Sequence, residues 1–144
     1  MRWGDGEESG CISVKGHIPE RDGIWMGLLI MELMAKSGKS LKELIQILYG
    51  KIGEFKFNRN DLHLNTKSME YVLNKLKSNQ IKEIGGRPII KTETIDGWKF
   101  YLDEDTWIMA RPSGTELLYR VYCQAKNKAA VKKTLEDALV ALQS

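Results

Sequence analysis

The sequence predicts an α+β fold, a mostly antiparallel sheet with helices on one face, preceded by a helical stretch that looks like the tail of a separate α/β unit. Three observations predict it. After about residue 51 the signals run strand, helix, four strands, helix, an order that lets helices settle on one face of an antiparallel sheet. Asp96-Gly97 and Pro112-Ser113-Gly114 fall between strand-like runs, where they mark tight reversals. The first fifty residues are different in character, helical and heavily apolar.

Residues 1–22 are rich in glycine, acidic and hydroxyl residues around one short apolar stretch, Cys11-Ile12-Ser13-Val14, and read as loop, brief strand, loop. Asp22 can cap a helix over Gly23–Lys36 whose apolar residues cover nearly its whole circumference, so this helix needs a partner surface. Ser40 and Glu43 have the spacing of a capping box, and Leu41, Leu44, Ile45 and Leu48 follow at helical intervals. Glu54–Asn58 alternates as a strand. Asn65 or Thr66 opens a helix with Met69, Val72, Leu73 and Leu76 on one face. Strands are expected over Pro88–Thr94, Gly97–Leu102, Thr106–Arg111 and Leu117–Ala125. Asn127 then caps a helix that turns Val131, Leu135, Ala138, Leu139 and Leu142 inward.

Composition narrows the function classes. A chain of 144 residues has room for one domain and part of another. Its 42% hydrophobic and 28% charged residues suffice for a core. The net charge of +3 is far from the basic excess of a polynucleotide binder, so no nucleic-acid partner is expected. The longest apolar run, Gly23 to Met31, ends at Glu32, well short of the roughly 20 residues of a membrane span. Cys11 and Cys123 have neither metal-ligand spacing nor the density of a disulfide scaffold, and the N-terminus has no apolar leader; a cytoplasmic setting is expected.

Three segments could carry chemistry. In Arg111-Pro112-Ser113-Gly114-Thr115-Glu116, Pro112 fixes one φ, and Gly114 would permit a backbone conformation or a close approach denied to other residues. Successive amides there could form an anion-binding nest, with the Ser113 and Thr115 hydroxyls as further donors. Arg111 offers a planar fork matched to phosphate oxygens, and Arg120 a second one from the next strand. Glu116 has the wrong sign for an anion site and should turn outward or hold an arginine. The same residues also suit a plain polar turn with solvated arginines. In Gly6-Glu7-Glu8-Ser9-Gly10, paired carboxylates and a hydroxyl could read neighbouring sugar hydroxyls, or form an acidic exposed loop. Between the two lies Lys15-Gly16-His17-Ile18-Pro19-Glu20-Arg21-Asp22-Gly23, with charges that could face a ligand or one another. His17 and His63 lack metal spacing or a nucleophile partner, and both are expected to be structural.

Taken in order, these segments resemble the C-terminal part of the α-D-phosphohexomutase superfamily, the phosphoglucomutase/phosphomannomutase enzymes. Gly6-Glu7-Glu8-Ser9-Gly10 resembles the family's sugar-reading loop in its third domain, the Gly16 to Gly23 stretch the segment that follows, and Arg111 to Glu116 the phosphate-binding loop of the fourth. The resemblance implies that residues 1–50 are the end of an α/β third domain and residues 51–144 a whole fourth domain with a TBP-like layout. It also implies a reaction, in which an enzyme phosphoserine phosphorylates a hexose monophosphate, the bisphosphate turns over in the cleft, and the other phosphate returns to the serine.

Carried over by position, Glu7 and Ser9 would bind ring hydroxyls. Arg111, Ser113, Gly114, Thr115 and Arg120 would clamp the phosphate that is not reacting. Arg21 stands where relatives commonly carry lysine near the reacting group; an arginine there can bind phosphate but is a poor proton carrier at neutral pH. Leu117 replaces a proline usual after the loop. Nothing in the chain resembles the family's serine loop or its aspartate-rich magnesium loop. The chain is thus expected to be a fragment, inactive alone, of an enzyme interconverting hexose 1- and 6-phosphates. Mg2+ and a hexose 1,6-bisphosphate are implied for the parent, and no cofactor for the fragment. The alternative is a free-standing phosphosugar-binding or regulatory module. Expected partners are a phosphosugar, the missing domains, and a second copy through the exposed helix 23–36.

Overall fold

The computed structural model describes residues 4–6, 12–18, 20 and 22–144. It divides into two units, one ending at Gly53 and one beginning at Glu54.

In the first unit, β1 (Gly4–Gly6) pairs antiparallel with β2 (Ile12–Val14), so the glycine-rich start that reads as loop contributes a strand. Helix α1 (Gly23–Ser37) starts at Asp22, whose carboxylate accepts the Trp25 amide, and stops at Gly38, whose left-handed φ of 64° lets its N–H reach back to the Met34 carbonyl. Helix α2 (Leu41–Ile52) has the expected capping box between Ser40 and Glu43. Neither helix buries a single side chain, and Ile24 is 82% exposed.

The second unit is built on a five-stranded antiparallel sheet. Its strands are β3 (Lys56–His63), β6 (Lys91–Glu93), β7 (Trp98–Tyr101), β8 (Trp107–Pro112) and β9 (Leu118–Ala125), ordered β3-β9-β8-β7-β6. The first and last strands are neighbours, paired over all eight residues of β3. This pairing explains why β3 continues to His63, past the expected end at Asn58. Arg59 and Asp61 look like loop residues in the sequence, but both fall on the sheet face away from the core, while Leu62 turns in.

Helices α3 (Thr66–Lys77) and α4 (Lys128–Gln143), capped by Asn65 and Asn127, cover the other face. Val72 and Leu76 of α3, and Val131, Leu135, Ala138 and Leu142 of α4, join Phe100, Ile108, Tyr119, Val121 and Cys123 in one core. The expected split of β9 holds, with Tyr119, Val121, Cys123 and Ala125 inward and Arg120, Tyr122 and Gln124 on the opposite face.

The stretch expected as one strand over Pro88–Thr94 is divided. β4 (Glu83–Ile84) and β5 (Arg87–Pro88) form a small hairpin about Gly85 and Gly86, both at positive φ, a turn announced in the sequence by its Gly-Gly pair. The chain then changes partner: the Ile89 amide donates to Lys82 and the Ile90 amide to Tyr101, which starts β6.

On the open face, cross-strand neighbours bring aromatic rings and cations together. Phe57 lies 6.0 Å from Tyr122 and 6.1 Å from Trp107, and the Lys99 ammonium sits 4.1 Å above the Trp107 ring. These side chains cover one another, and Tyr122 is buried although it points away from the core.

Candidate phosphate-binding site

Register places two arginines side by side. Arg111 on β8 is directly opposite Arg120 on β9, and in an antiparallel ladder such positions hold their Cβ atoms about 4.5–5.5 Å apart on one face. Like charges placed so repel. On the far side of Arg120, β3 presents Asp61, held by Arg59 Nε at 3.0 Å. On the far side of Arg111 stands Asp96, whose carboxylate is 3.1 Å from Arg111 Nη1. A row of four charges, Asp61, Arg120, Arg111 and Asp96, therefore crosses the sheet. Within it, Arg120 Nε is buried with no hydrogen-bond partner. A buried donor without an acceptor is costly, and one beside a second arginine suits an incoming anion.

Asp96 reaches Arg111 because of Gly97. The connection between β6 and β7 is a four-residue loop, Thr94 to Gly97, longer than the two-residue hairpin that Asp96-Gly97 suggests. Gly97 has φ of 124°, and a Cβ placed on it would stand 2.7 Å from the Ala110 carbonyl. Only glycine lets the loop lie this closely on β8.

The turn between β8 and β9 begins at Ser113, whose amide donates to the Leu118 carbonyl at 2.9 Å. The Ser113 hydroxyl oxygen accepts the amides of Thr115 at 3.4 Å and Glu116 at 3.3 Å, both long bonds. This corrects two expectations. Among Ser113 to Glu116 no φ is positive, so the alternating backbone of a nest is not formed. Gly114 likewise occupies an ordinary conformation, and a Cβ on it would meet nothing within 4 Å. What the turn provides is an open approach at Gly114 and two amides gathered on a serine oxygen. Glu116 is exposed, as its charge requires. Leu117 is 55% exposed, and its carbonyl accepts the Leu64 amide at 3.0 Å, which ties the exit of the turn to the start of α3.

Of the other expected site residues, Glu7, Ser9 and Arg21 lie outside the described residues. His17 is structural: Nε2–H donates to Asp22 at 2.9 Å, and the ring stacks on Trp25 at 4.8 Å. The Trp25 amide first and His17 second hold the Asp22 carboxyl below its ordinary range. Cys123 is fully buried, and burial pushes its thiol up to about 12, so it is no nucleophile at neutral pH. Among the described residues no three His, Cys, Asp or Glu group closely enough to hold a metal ion. No helix among them is long and apolar enough to cross a membrane.

Two family models match the chain: phosphoglucomutase/phosphomannomutase alpha/beta/alpha domain III over residues 5–52, and the C-terminal domain of the same family over residues 64–141. The chain belongs to the phosphoglucomutase/phosphomannomutase family. It is 32% identical over 138 residues to a phosphoglucomutase/phosphomannomutase of Thermococcus kodakarensis, a match covering 96% of this chain and 28% of that protein. A phosphoglucosamine mutase of Methanococcus aeolicus is 35% identical over 136 residues, covering 93% of this chain and 28% of the relative. In fold it is similar to the crystal structure of a family protein from Burkholderia thailandensis, with a TM-score of 0.65 at 21% identity, over 97% of this chain and 28% of that one. The chain thus spans under a third of the length of these family members.

Asp96 was not legible as a site residue. In the sequence it is half of a turn dipeptide, and only the β6–β7 loop folding back onto β8 brings it to Arg111.

Proposed function

We propose that this chain is the phosphate clamp, and part of the sugar contact, of a phosphohexomutase that interconverts hexose 1- and 6-phosphates. The observation that carries the proposal is the pairing of Arg111 with Arg120 at the mouth of the Ser113 to Glu116 turn, with a buried Arg120 Nε awaiting an acceptor. Two forks on one face can each present parallel N–H groups to a phosphate dianion. The Ser113 and Thr115 hydroxyls and the turn amides add donors, and the bare backbone at Gly114 leaves room for approach. Glu7 and Ser9 would accept hydrogen bonds from sugar hydroxyls, and Arg21 would hold the phosphate at the reacting end.

In such a reaction the phosphate in the clamp is a handle. Holding it fixes where the other end of the sugar lies, and positioning supplies much of the rate of phosphoryl transfer. Because the bisphosphate has to turn over, the clamp must accept phosphate on either end of the sugar and let it go between steps. Surface-mounted arginines that exchange partners meet that requirement better than a deep, closed pocket. The phosphoserine and Mg2+ of the whole mutase would come from segments that this sequence does not match. Names among the relatives include phosphoglucomutase, phosphomannomutase and phosphoglucosamine mutase, which supports a hexose phosphate as the ligand class.

Calorimetric titration of the 144-residue chain with a hexose 6-phosphate and with the free hexose tests the proposal. Weak, millimolar binding of the phosphate ester alone, lost in Arg111→Ala, is expected, since few contacts offset the cost of immobilising a small ligand. Equal binding of ester and free hexose, or binding indifferent to Arg111, contradicts it.

A further inference from the structure

We infer that Asp96 is a built-in competitor for the phosphate clamp, a carboxylate that occupies Arg111 until a phosphate dianion displaces it. This rests on the proposed phosphate-binding role of the turn and adds a residue outside that motif.

Three independent pieces of geometry carry it. Asp96 stands 3.1 Å from Arg111 Nη1 because its loop lies closely on β8 at Gly97, where φ is 124° and a Cβ would stand 2.7 Å from the Ala110 carbonyl. The ion pair is solvent-accessible, with the Asp96 side chain 68% exposed and the Arg111 side chain 40% exposed, so an incoming anion can reach it and the carboxylate can swing out into water. Arg120, directly opposite, has a buried Nε without an acceptor. One arginine of the pair thus already carries a carboxylate at Nη1 while the other retains an unused donor at Nε.

The Ser113 hydroxyl does for the turn what Asp96 does for the arginine. Its oxygen gathers the Thr115 and Glu116 amides at 3.4 and 3.3 Å, and a phosphate oxygen would draw on the same two donors. The resting site is therefore filled by acceptors of its own chain, each held weakly enough to be replaced.

The row Asp61, Arg120, Arg111, Asp96, together with Arg59 on Asp61, carries two negative and three positive groups and is net positive as it stands. A carboxylate ligand offers Arg111 what the tethered Asp96 already offers, without the advantage of a tether. A phosphate dianion offers more charge and spans both guanidinium groups at once. Competition of this kind also speeds release, because the displaced carboxylate stays beside Arg111 and can retake it. That is what a clamp needs if it holds first one end and then the other of a turning bisphosphate.

The test compares the wild-type chain with Asp96→Asn, Arg111→Ala and the double variant by calorimetric titration, using a hexose 6-phosphate and a hexuronate at neutral pH. Asn has the same shape as Asp and Gly97 is untouched, so Asp96→Asn keeps the loop. The inference predicts that Asp96→Asn tightens hexose 6-phosphate about two- to five-fold, the range open to an exposed ion pair. Hexuronate, which must displace the same carboxylate, should gain no more than the phosphate ester, and the gain should vanish when Arg111 is alanine. Unchanged or weaker phosphate binding in Asp96→Asn overturns the inference, and weaker binding would make Asp96 a support that orients Arg111. Wild-type binding that Arg111→Ala abolishes leaves the clamp standing whatever Asp96→Asn does. Failure of every variant to bind the ester overturns the clamp and the inference together.

Discussion

Arg111 and Arg120 occupy directly opposed positions on β8 and β9, so two cationic residues share one face of the sheet with the Ser113 to Glu116 turn closing the strand ends beside them. Sheets seldom place like charges in register, because such pairs cost stability. Here the strain is compounded by an Arg120 Nε that is buried and unpartnered.

Replacing Arg120 should therefore separate stability from binding. Arg120→Met keeps the aliphatic stem, removes the repulsion and removes the orphaned donor, whose burial costs about 1–3 kcal/mol. The variant should unfold at a higher temperature than wild type while its affinity for a hexose phosphate drops by about ten-fold or more, as expected for losing a charge-assisted contact. Thermal unfolding and calorimetry on the same samples check this. A lower melting temperature would mean that Arg120 serves the fold and not the ligand.

The buried thiol sets a pH dependence. Burial raises Cys123 from its ordinary value near 9.0 to about 12. Between those values the unfolded chain has released this proton and the folded chain has kept it, so unfolding is favoured as pH rises through that window. Stability measured by urea unfolding should fall between about pH 9 and pH 11, and fall less in Cys123→Ala, which has no thiol to titrate. The native thiol should also resist alkylation at neutral pH until the chain unfolds. Equal pH slopes for the two proteins, or rapid native-state alkylation, would show that the cysteine is not held as described.

Much of the fold was readable because local rules and burial agree. Asp22, Ser40, Asn65 and Asn127 each cap the helix expected of them, and the alternation along β9 sorts its side chains onto the two faces as periodicity demands. The differences arise where a partner distant in sequence decides. β3 runs on through Arg59 and Asp61 because β9 supplies eight paired positions, and the chain after Pro88 changes strands because Lys82 and Tyr101 each capture one amide. The candidate site divides in the same way. Its arginines and its turn stand in a contiguous motif, but Asp96 enters through a loop contact that no spacing rule encodes, and the nest expected at Gly114 gives way to a serine oxygen.

The apolar circumference of α1 predicts association. Ile24, Leu28 and Met31 are exposed, at 82%, 55% and 65%, and no α1 or α2 side chain is buried. Exposed apolar area on this scale is covered in solution by whatever apolar surface is at hand. Light scattering should find dimers or larger species of the 144-residue chain, shifting toward monomer in Leu28→Lys with Met31→Lys. A monodisperse wild-type monomer would contradict it.

The most direct measurement of the phosphate clamp is an amide and arginine side-chain NMR titration of the chain with a hexose 6-phosphate. The account predicts saturable shifts concentrated at Ser113, Gly114, Thr115 and Glu116 and at the Nε–H groups of Arg111 and Arg120, absent with the free hexose. Shifts scattered over the surface, or a turn and an Arg120 Nε–H that stay unmoved while other sites saturate, would contradict it.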